Sequence, residues 1–503
     1  MERCFLAVDI GASGGKCFAG FFGGDKGFRM EEAWRFDHEA ARFFAPDRKG
    51  VVTQRMCWDD TWIYHNMVKG LQSFGRNFGK RLDGIGIDTW GSDAGLISAD
   101  GEMVAKTYAY RDTRLDCMVD EVKSLISAER IYGITGIHFQ PFNMSNQLRW
   151  WFTRRPELMS QVEIALPMPS LLYWYLGGDK MVDSTWASVT QLMDARTLQW
   201  SKEIFDALGI PINIFPKIVA PGARVGTLWP QLAQIAGLDA GTALYATGSH
   251  DTANAYAAAP VKDIRHAMII SSGTWSLVGR LVAEPNTSPQ AMAWNFSNEG
   301  GIGNTRLLKN CMGTWIIQEI LRIWEARDGK RMPWSEVDAI TPAAPAFTAF
   351  INPDDKRFYN PPDMEAAIMA YLAETGQAQP KDRGTLLRVV YESLAMAYRN
   401  TSEMLHALTG APTRVCHIVG GGSGNVLLNE FTASALGVPV VAGPKEATAM
   451  GNLMLQAVGS GVCKTLAEAQ QTCASVALPK EFLPGDTQAW NAAYKTYKEK
   501  THA

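Results

Sequence analysis

Residues 8–17 read Val-Asp-Ile-Gly-Ala-Ser-Gly-Gly-Lys-Cys, and residues 270–278 read Ile-Ser-Ser-Gly-Thr-Trp-Ser-Leu-Val. Each segment starts in an apolar run, turns through small residues and continues as a second short run, which is typical of a β-hairpin. Successive small residues let backbone N–H groups approach a phosphate closely. One such hairpin in each half of the chain predicts two similar domains that face each other across a cleft.

Short apolar runs that end in glycine turns are spread along the chain. Four or five apolar residues in a row are typical of strands that are buried on both faces. The clearest runs cover residues 5–9, 84–88, 243–247, 267–271 and 415–419. A helix is predicted from about Leu386 to Leu408, where Gly410 and then Pro412 end the pattern. Mixed strands and helices predict an α/β protein.

The 503 residues exceed the size at which one hydrophobic core keeps growing, so two domains are expected, 1–255 and 256–503. A net charge of −3 gives no electrostatic basis for binding nucleic acid or an anionic membrane. No apolar run is long enough for a transmembrane helix. Eight scattered cysteines without a Cys-x-x-Cys pair, and no visible signal peptide, predict reduced thiols in the cytoplasm and no structural zinc.

The first hairpin carries Asp9 at a strand end, followed by the small residues 11–15 and Lys16. Backbone N–H groups here could contact phosphate oxygens, and Asp9 could hold Mg²⁺ through water. The spacing matches neither a Walker P-loop nor the G-x-G-x-x-G dinucleotide pattern. A tight hairpin with a solvated lysine explains the same residues equally well.

Residues 86–93 read Gly-Ile-Asp-Thr-Trp-Gly-Ser-Asp and follow a buried strand. Short polar groups beside Trp90 and Gly91 would suit a sugar, whose ring packs on aromatic carbon and whose hydroxyls need polar partners. A β-turn in which Asp93 caps backbone donors is the alternative interpretation.

Residues 248–252 read Gly-Ser-His-Asp-Thr and follow the run 243–247. Phosphoryl transfer needs a carboxylate within reach of the attacking hydroxyl, and Asp251, between His250 and Thr252, could be that base. A lone aspartate in a strand-end turn is more often structural. No G-x-S-x-G motif supports a serine hydrolase.

Three further segments lie in the second half. Thr274 and nearby backbone amides could meet a γ-phosphate. Asn310 precedes a helix-like run through Gln318, where it could be a plain N-cap. The triple glycine 420–422 at a strand end would let the backbone pack closely on adenine or phosphate.

Taken in order, these segments resemble the FGGY family of carbohydrate kinases, and the resemblance spans nearly the whole chain. It rests on nine motifs, which lie at 8–13, 86–93, 109–112, 249–253, 271–277, 298–301, 308–315, 417–422 and 442–447. Each motif alone is weak evidence, and the resemblance to the family depends on all nine motifs occurring in this order. One difference is the lysine at position 16, where the arginine usual among the most similar members would present a fork instead of a point charge.

The resemblance implies two actin-like, ribonuclease-H-like domains that flank an active-site cleft, with 1–255 mainly binding sugar and 256–503 mainly binding ATP. Asp251 would be the base. The implied sugar-binding residues are Gly91, Asp93, His250, Asp251, Thr252 and Asn310. The implied ATP-binding residues are Ala12, Ser13, Gly14, Gly15, Lys16, Thr274, Gln318 and Gly421. Asp9 would hold Mg²⁺ through water.

The implied reaction is transfer of the γ-phosphoryl of ATP to the 1-hydroxyl of L-rhamnulose, giving L-rhamnulose 1-phosphate in rhamnose catabolism. The implied partners are small molecules, with no nucleic acid or membrane, and the protein would be a monomer or a homodimer. L-Fuculose is the alternative ketose. Two other classes of function are a sugar or nucleotide sensor that lost catalysis, and an actin-like filament or chaperone ATPase.

Overall fold

The computed structural model describes residues 2–23, 27–46 and 49–502. The strands are β1 Arg3–Gly11, β2 Gly14–Phe22, β3 Phe28–Asp37, β4 Ala41–Pro46, β5 Val52–Cys57, β6 Gly84–Thr89, β7 Ala94–Ser98, β8 Val162–Pro167, β9 Met181–Asp183, β10 Lys217–Val219, β11 Arg224–Thr227, β12 Ala243–His250, β13 Ala267–Ser272, β14 Trp275–Val282, β15 Ser297–Gly300, β16 Thr305–Met312, β17 Val415–Val419, β18 Val440–Ala442 and β19 Lys480–Phe482. All five predicted strands are present.

Helices connect and cover these strands. They are α1 Asp60–Phe78, α2 Met118–Leu125, α3 Ala128–Thr135, α4 Met144–Arg154, α5 Pro156–Met159, α6 Met168–Leu176, α7 Ser184–Ser188, α8 Lys202–Leu208, α9 Pro230–Ala236, α10 Asp251–Ala257, α11 Pro289–Ala293, α12 Trp315–Asp328, α13 Trp334–Ala343, α14 Met364–Glu374, α15 Arg383–Thr409, α16 Val426–Leu436, α17 Ala447–Gly459, α18 Leu466–Ala477 and α19 Thr487–Thr501. None of the helices in the described ranges combines the length and hydropathy that a membrane crossing requires.

The predicted long helix is α15. Its first turn is capped by the side chain of Asp382, which accepts from the backbone N–H of Thr385 at 2.9 Å. Its last residue is followed by Gly410 in the left-handed conformation, with φ 69°, which glycine adopts without steric cost. The predicted end of the helix is therefore confirmed. The helix begins at Arg383, three residues before the start at Leu386 that the sequence predicted.

The chain forms two compact units. Unit 1 consists of Met1–Ala258, Val282–Leu307 and Ala447–Val476, and unit 2 consists of Ala259–Leu281, Leu308–Glu446 and Ala477–Ala503. Both units are assembled from separate stretches of chain. The boundary near residue 255 between two family domains stays a prediction.

Unit 1 contains a mixed sheet with the order β11-β12-β6-β1-β2-β3. Strands β1, β6 and β12 are parallel to one another, whereas β2 and β11 are antiparallel to their neighbours. The central strands are buried on both faces, which explains their continuous apolar runs. A large apolar core packs against this sheet, with Phe74 of α1 and Leu171 of α6 among its fully buried members.

Unit 2 repeats this plan. The second sheet has the order β19-β18-β17-β13-β14-β16-β15, and all of its strands except β15, the last residue of β14 and the first residues of β16 belong to unit 2. Strands β13, β17 and β18 are parallel, and β14 and β19 are antiparallel to their neighbours. The strands β12-β6-β1-β2 of the first sheet and β18-β17-β13-β14 of the second therefore match in chain order and in direction, so the duplication that the two hairpins predicted is confirmed.

Helices α10 and α17 of unit 1 cross in very close contact at Gly451. A Cβ atom there would overlap with the backbone oxygen of Asn254. Gly133, inside α3, has no atom within 4 Å of the same position. The absence of a side chain at Gly451 therefore has a packing reason that Gly133 lacks.

We expect Gly451→Ala to destabilise the protein by about 3 kcal/mol, because the two helices must separate to accept the methyl group. Gly133→Ala should instead stabilise it by about 0.5–1 kcal/mol, since alanine restricts the unfolded chain and fits the helix. Urea unfolding of both variants measures the difference. Equal effects would contradict the close crossing of the two helices.

Candidate active site

The first hairpin lies at the end of β1, where Asp9 pairs across the strands with Lys16. Ala12 and Ser13 form the turn between β1 and β2. The structure also gives the two following glycines a packing role, because a Cβ on Gly14 would lie 2.8 Å from the backbone oxygen of Phe36 and one on Gly15 would overlap with the Phe36 ring. Their small size is thus required by β3 irrespective of any ligand.

Asp88 lies beside Asp9, since the two residues are direct partners in the parallel pairing of β6 with β1. The Asp88 side chain is fully buried. Its Oδ2 accepts from Asn254 Nδ2 at 2.9 Å and from Asn452 Nδ2 at 2.6 Å, while Oδ1 has no hydrogen-bond partner among the described residues. Sequence reasoning did not single out Asp88, although its position at the end of a strand parallel to β1 was a usable signal.

Burial raises the pKa of Asp88 well above its usual range, and the nearby charges of Asp9 and Asp251 raise it further. The structure therefore places three carboxyl groups, from β1, β6 and the start of α10, within electrostatic reach of one another. Asp88 is the fully buried member of the three, and the two neighbouring charges disfavour its ionised form.

The pH dependence of stability tests this state of Asp88. In the unfolded chain an aspartate titrates at about 3.9, so above that pH the unfolded chain loses a proton that the folded chain keeps. The free energy of unfolding therefore falls as pH rises towards the folded pKa of Asp88, by at most about 1.4 kcal/mol per pH unit. We expect the free energy of unfolding of Asp88→Asn, relative to that of the parent, to increase between pH 5 and pH 8. A difference between variant and parent that stays constant over this range would contradict the raised pKa of Asp88.

Asp251 is the first residue of α10, directly after β12. Its Oδ1 accepts from the Thr252 backbone N–H at 2.6 Å and from Thr252 Oγ1 at 3.0 Å. Oδ2 accepts no hydrogen bond from the residues that the structure describes. The side chain is 33% exposed, and the protein fixes one of its two oxygens.

His250 connects Asp251 with Gly91. Its Nε2 lies 3.5 Å from Asp251 Oδ1, and a Cβ on Gly91 would lie only 2.8 Å from the same nitrogen. On the other side of the ring, Nδ1 lies near the buried pair Arg306 and Glu299. Burial opposes ionisation of Glu299, but Arg306 together with His250 and His138 outweighs it and lowers the pKa of this carboxyl to about 2. Glu299 lies in the motif at 298–301, although the sequence assigned it no role, and Arg306 was not identified from the sequence.

Asp93 lies in a different environment, with both oxygens satisfied by the protein. Oδ2 accepts from Trp58 Nε1 at 2.7 Å and Trp90 Nε1 at 3.0 Å, and Oδ1 accepts from Gln147 Nε2 at 3.0 Å. The backbone N–H of Tyr110 also donates to Oδ2. These contacts hold the loop after β6 in place, and contact between Asp93 and a sugar stays a prediction.

The candidate residues of unit 2 surround the turn between β13 and β14. Thr274 is exposed at its tip, and the adjacent Gly273 carbonyl accepts from the backbone N–H and the Oγ1 of Thr314. Thr314 Oγ1 in turn accepts from Gln318 Nε2 at 3.1 Å. Gly421 is open, because a Cβ there would meet no atom within 4 Å.

The glycine turn and Asn310 complete this group. Gly420, with φ 84°, and Gly422 both pack against Ser272 at the end of β13, so only glycine fits there. Asn310 lies on β16, and its Oδ1 is buried without a hydrogen-bond partner among the described residues. Unit 2 therefore brings Thr274, Gln318 and the glycine turn together.

The described residues include no group of three or more histidine, cysteine, aspartate or glutamate side chains that could form a metal site. Mg²⁺ that binds together with a nucleotide is usually held by one or two carboxylates, water and phosphate oxygens. Asp9, near the carboxyl end of β1 and partly buried, carries a carboxylate of this kind.

Comparisons with known proteins show the family to which the chain belongs. Residues 47–257 match the N-terminal domain of the FGGY family of carbohydrate kinases, and residues 268–460 match its C-terminal domain. A rhamnulokinase of Bacteroides thetaiotaomicron is 38% identical over 499 residues, covering 99% of both chains. A rhamnulokinase of Enterococcus faecalis is 38% identical over 485 residues, covering 96% of this chain and 94% of that protein.

Solved structures show the same fold. Gluconate kinase from Lactobacillus acidophilus superimposes with a TM-score of 0.79 at 15% identity, covering 99% of this chain and 97% of that one. Plasmodium falciparum glycerol kinase with ADP gives a TM-score of 0.78 at 14% identity, covering 100% and 98%. The predicted α/β, actin-like fold is confirmed. The chain belongs to the FGGY family of carbohydrate kinases.

Proposed function

We propose that the protein transfers the γ-phosphoryl of ATP to the 1-hydroxyl of L-rhamnulose, with Asp251 as the base. The observation that carries this proposal is the orientation of the Asp251 carboxylate. Thr252 holds Oδ1 of this partly exposed side chain, and Oδ2 accepts no hydrogen bond from the described residues. The sugar identity is supported by the relatives named rhamnulokinase, which match over nearly the whole chain.

In the proposed reaction, Asp251 Oδ2 takes the proton of the sugar hydroxyl as its oxygen bonds to the γ-phosphorus. The bond between that phosphorus and the β–γ bridging oxygen breaks, and ADP leaves. Phosphoryl transfer depends mainly on position and electrostatics, so a fixed carboxylate is sufficient on the protein side. Gly91, His250, Asp251 and Thr252 of unit 1 are proposed to contact the sugar.

Two further residues complete the proposed sugar site. Asn310 is supported by its buried, unpartnered Oδ1, which a hydroxyl could satisfy. Asp93 is retained in the proposal as a residue that fixes the loop beside Gly91, since its oxygens already have protein donors.

ATP is proposed to contact the hairpin Ala12–Lys16, together with Thr274, Gln318 and Gly421. Lys16 supplies a positive charge next to the turn, and Thr274 exposes a hydroxyl. Mg²⁺ is proposed to be held by Asp9 through water. When bound, it would neutralise charge on the phosphates. In this proposal residues 1–255 mainly bind the sugar and 256–503 mainly bind ATP.

The cytoplasm is the proposed location. All eight cysteines are free thiols, and all except Cys117 are buried. Disulfides are rare where glutathione and thioredoxin keep thiols reduced, so this state supports a reducing compartment.

Gly421→Val tests the nucleotide assignment. The protein leaves room for the new side chain, so the fold should be unaffected and any effect should come from a clash with the ligand. We expect nucleotide affinity to fall by about 100-fold, the equivalent of roughly 2–3 kcal/mol of lost contact. Calorimetric titration with ATP, with Gly424→Val as a control at another open position of the same turn, measures this. Unchanged affinity would remove Gly421 from the site.

The sugar identity is tested by steady-state ADP release with a panel of ketoses and aldoses. We expect the highest kcat/KM for L-rhamnulose and a lower value for L-fuculose. A preference for L-fuculose or another sugar would keep the kinase assignment and reject this substrate. ATP turnover that no sugar changes would favour an actin-like ATPase instead.

A further inference from the structure

A buried ion pair lies directly behind His250. The side chains of Arg306 and Glu299 are 0% and 4% exposed, and Arg306 Nη1 lies 3.1 Å from Glu299 Oε2. Burying two charges carries a desolvation cost that the pair's own attraction often only offsets. A fully buried arginine at this place therefore calls for a reason beyond stability.

The contacts of Arg306 show how firmly its guanidinium is oriented. Nε donates to the Gly300 carbonyl at 2.9 Å, and Nη2 lies 3.2 Å from His250 Nδ1 in hydrogen-bond geometry. A guanidinium stays protonated and can only donate. In this contact His250 Nδ1 must therefore be the acceptor.

Glu299 competes for the same ring nitrogen. Its Oε2 lies 3.3 Å from His250 Nδ1, and an ionised carboxylate could only accept a proton from it. However, Glu299 Oε2 has no partner in hydrogen-bond geometry among the described residues, whereas the Arg306 contact has that geometry. The geometry thus favours Arg306 as the partner of Nδ1, which leaves the ring proton on Nε2.

The Nε2 side of His250 faces the proposed site of reaction. It lies 3.5 Å from Asp251 Oδ1 and against Gly91. A proton on Nε2 makes His250 a hydrogen-bond donor there. A lone pair at that nitrogen would instead compete with Asp251 for the proton of the sugar hydroxyl.

We propose that Arg306 is a positioning residue, which fixes His250 as an Nε2–H donor to an oxygen of the acceptor sugar and leaves Asp251 as the sole base. This inference rests on the proposed sugar-kinase function of the same site. Glu299 balances the charge of Arg306 and does not determine which ring nitrogen of His250 carries the proton.

The state of the ring can be measured without any activity. In protein with ¹⁵N-labelled histidine, the two-bond ¹H–¹⁵N couplings of the His250 ring report which nitrogen carries the proton, and loss of the signals in His250→Gln assigns them. We expect the Nε2–H form in the parent and in Glu299→Gln. A parent ring protonated on Nδ1 would overturn the proposal even if Arg306 variants cannot be purified.

Kinetics of Arg306→Met provide the second test. We expect kcat/KM for the sugar to fall by about 100-fold, because a misplaced donor disturbs the reacting geometry, while KM for MgATP stays within error. Glu299→Gln should lose much less, and Arg306→Lys should recover part of the loss because an ammonium can still donate. Arg280→Met is the matched control: it removes another arginine of about 1% exposure, so it should lower the unfolding midpoint and leave sugar kinetics unchanged.

The outcomes separate this inference from the function on which it rests. If the parent enzyme phosphorylates no sugar, the proposed function fails and the ring measurement still stands. If the parent is active and Arg306→Met keeps its kcat/KM, or Glu299→Gln alone changes the ring state, the positioning role of Arg306 is wrong.

Discussion

Asp251→Asn is expected to reduce kcat by about 10³-fold, within the range that general bases contribute. The amide oxygen can still accept from the backbone N–H and Oγ1 of Thr252, so the side chain should keep its orientation and the sugar should still bind. Only the ability to take a proton is lost. Steady-state ADP release gives kcat, and calorimetric titration with the sugar gives its affinity.

Asp88→Asn is the matched comparison for this variant. Burial and the neighbouring carboxylates raise the pKa of Asp88, so a neutral amide resembles the form of the side chain that its surroundings favour. It should therefore cause a much smaller loss of kcat than Asp251→Asn. Near-parent kcat in Asp251→Asn, or an equal loss in both variants, would reject Asp251 as the base.

Asp9→Asn is expected to lower kcat/KM for MgATP by about 100-fold or more, because a metal ion on transferring phosphates stabilises the transition state by several kcal/mol. A neutral amide is a weaker partner for Mg²⁺ and its bound water than a carboxylate. The saturation curve for Mg²⁺ at fixed ATP should shift to higher concentration, while sugar affinity without nucleotide stays the same.

A carboxylate at the other end of the same sheet controls for general charge effects. Asp83, which precedes Asp88 by five residues, pairs with Arg3 and Arg81 away from the hairpin turn. Asp83→Asn should leave the Mg²⁺ dependence unchanged. An unshifted Mg²⁺ curve in Asp9→Asn would place the metal on another residue.

The main strands and the duplicated plan could be predicted from the sequence because short continuous segments of the chain determine them. A strand buried on both faces must be a continuous apolar run, and β1, β6, β12, β13 and β17 are all of this kind. Residues at strand ends, such as Asp9 and Asp251, could also be singled out, since polar groups there interrupt an apolar pattern.

The contacts that define the site could not be predicted in this way. Asn452 reaches Asp88 from a helix 364 residues further along the chain, and no local pattern marks that partnership. Arg306 is an ordinary strand residue in the sequence and a fully buried charge in the structure. Asp93 illustrates the converse, because a motif suggested a sugar contact while its oxygens are occupied by indole and amide donors.

The product of the reaction tests the central claim most directly. Incubation of the protein with MgATP and L-rhamnulose, followed by ³¹P NMR, should show one sugar 1-phosphate formed for each ADP. The signal should be absent without the sugar and should grow about 10³-fold more slowly with Asp251→Asn. Formation of ADP and inorganic phosphate alone, or no reaction with any ketose, would contradict the account.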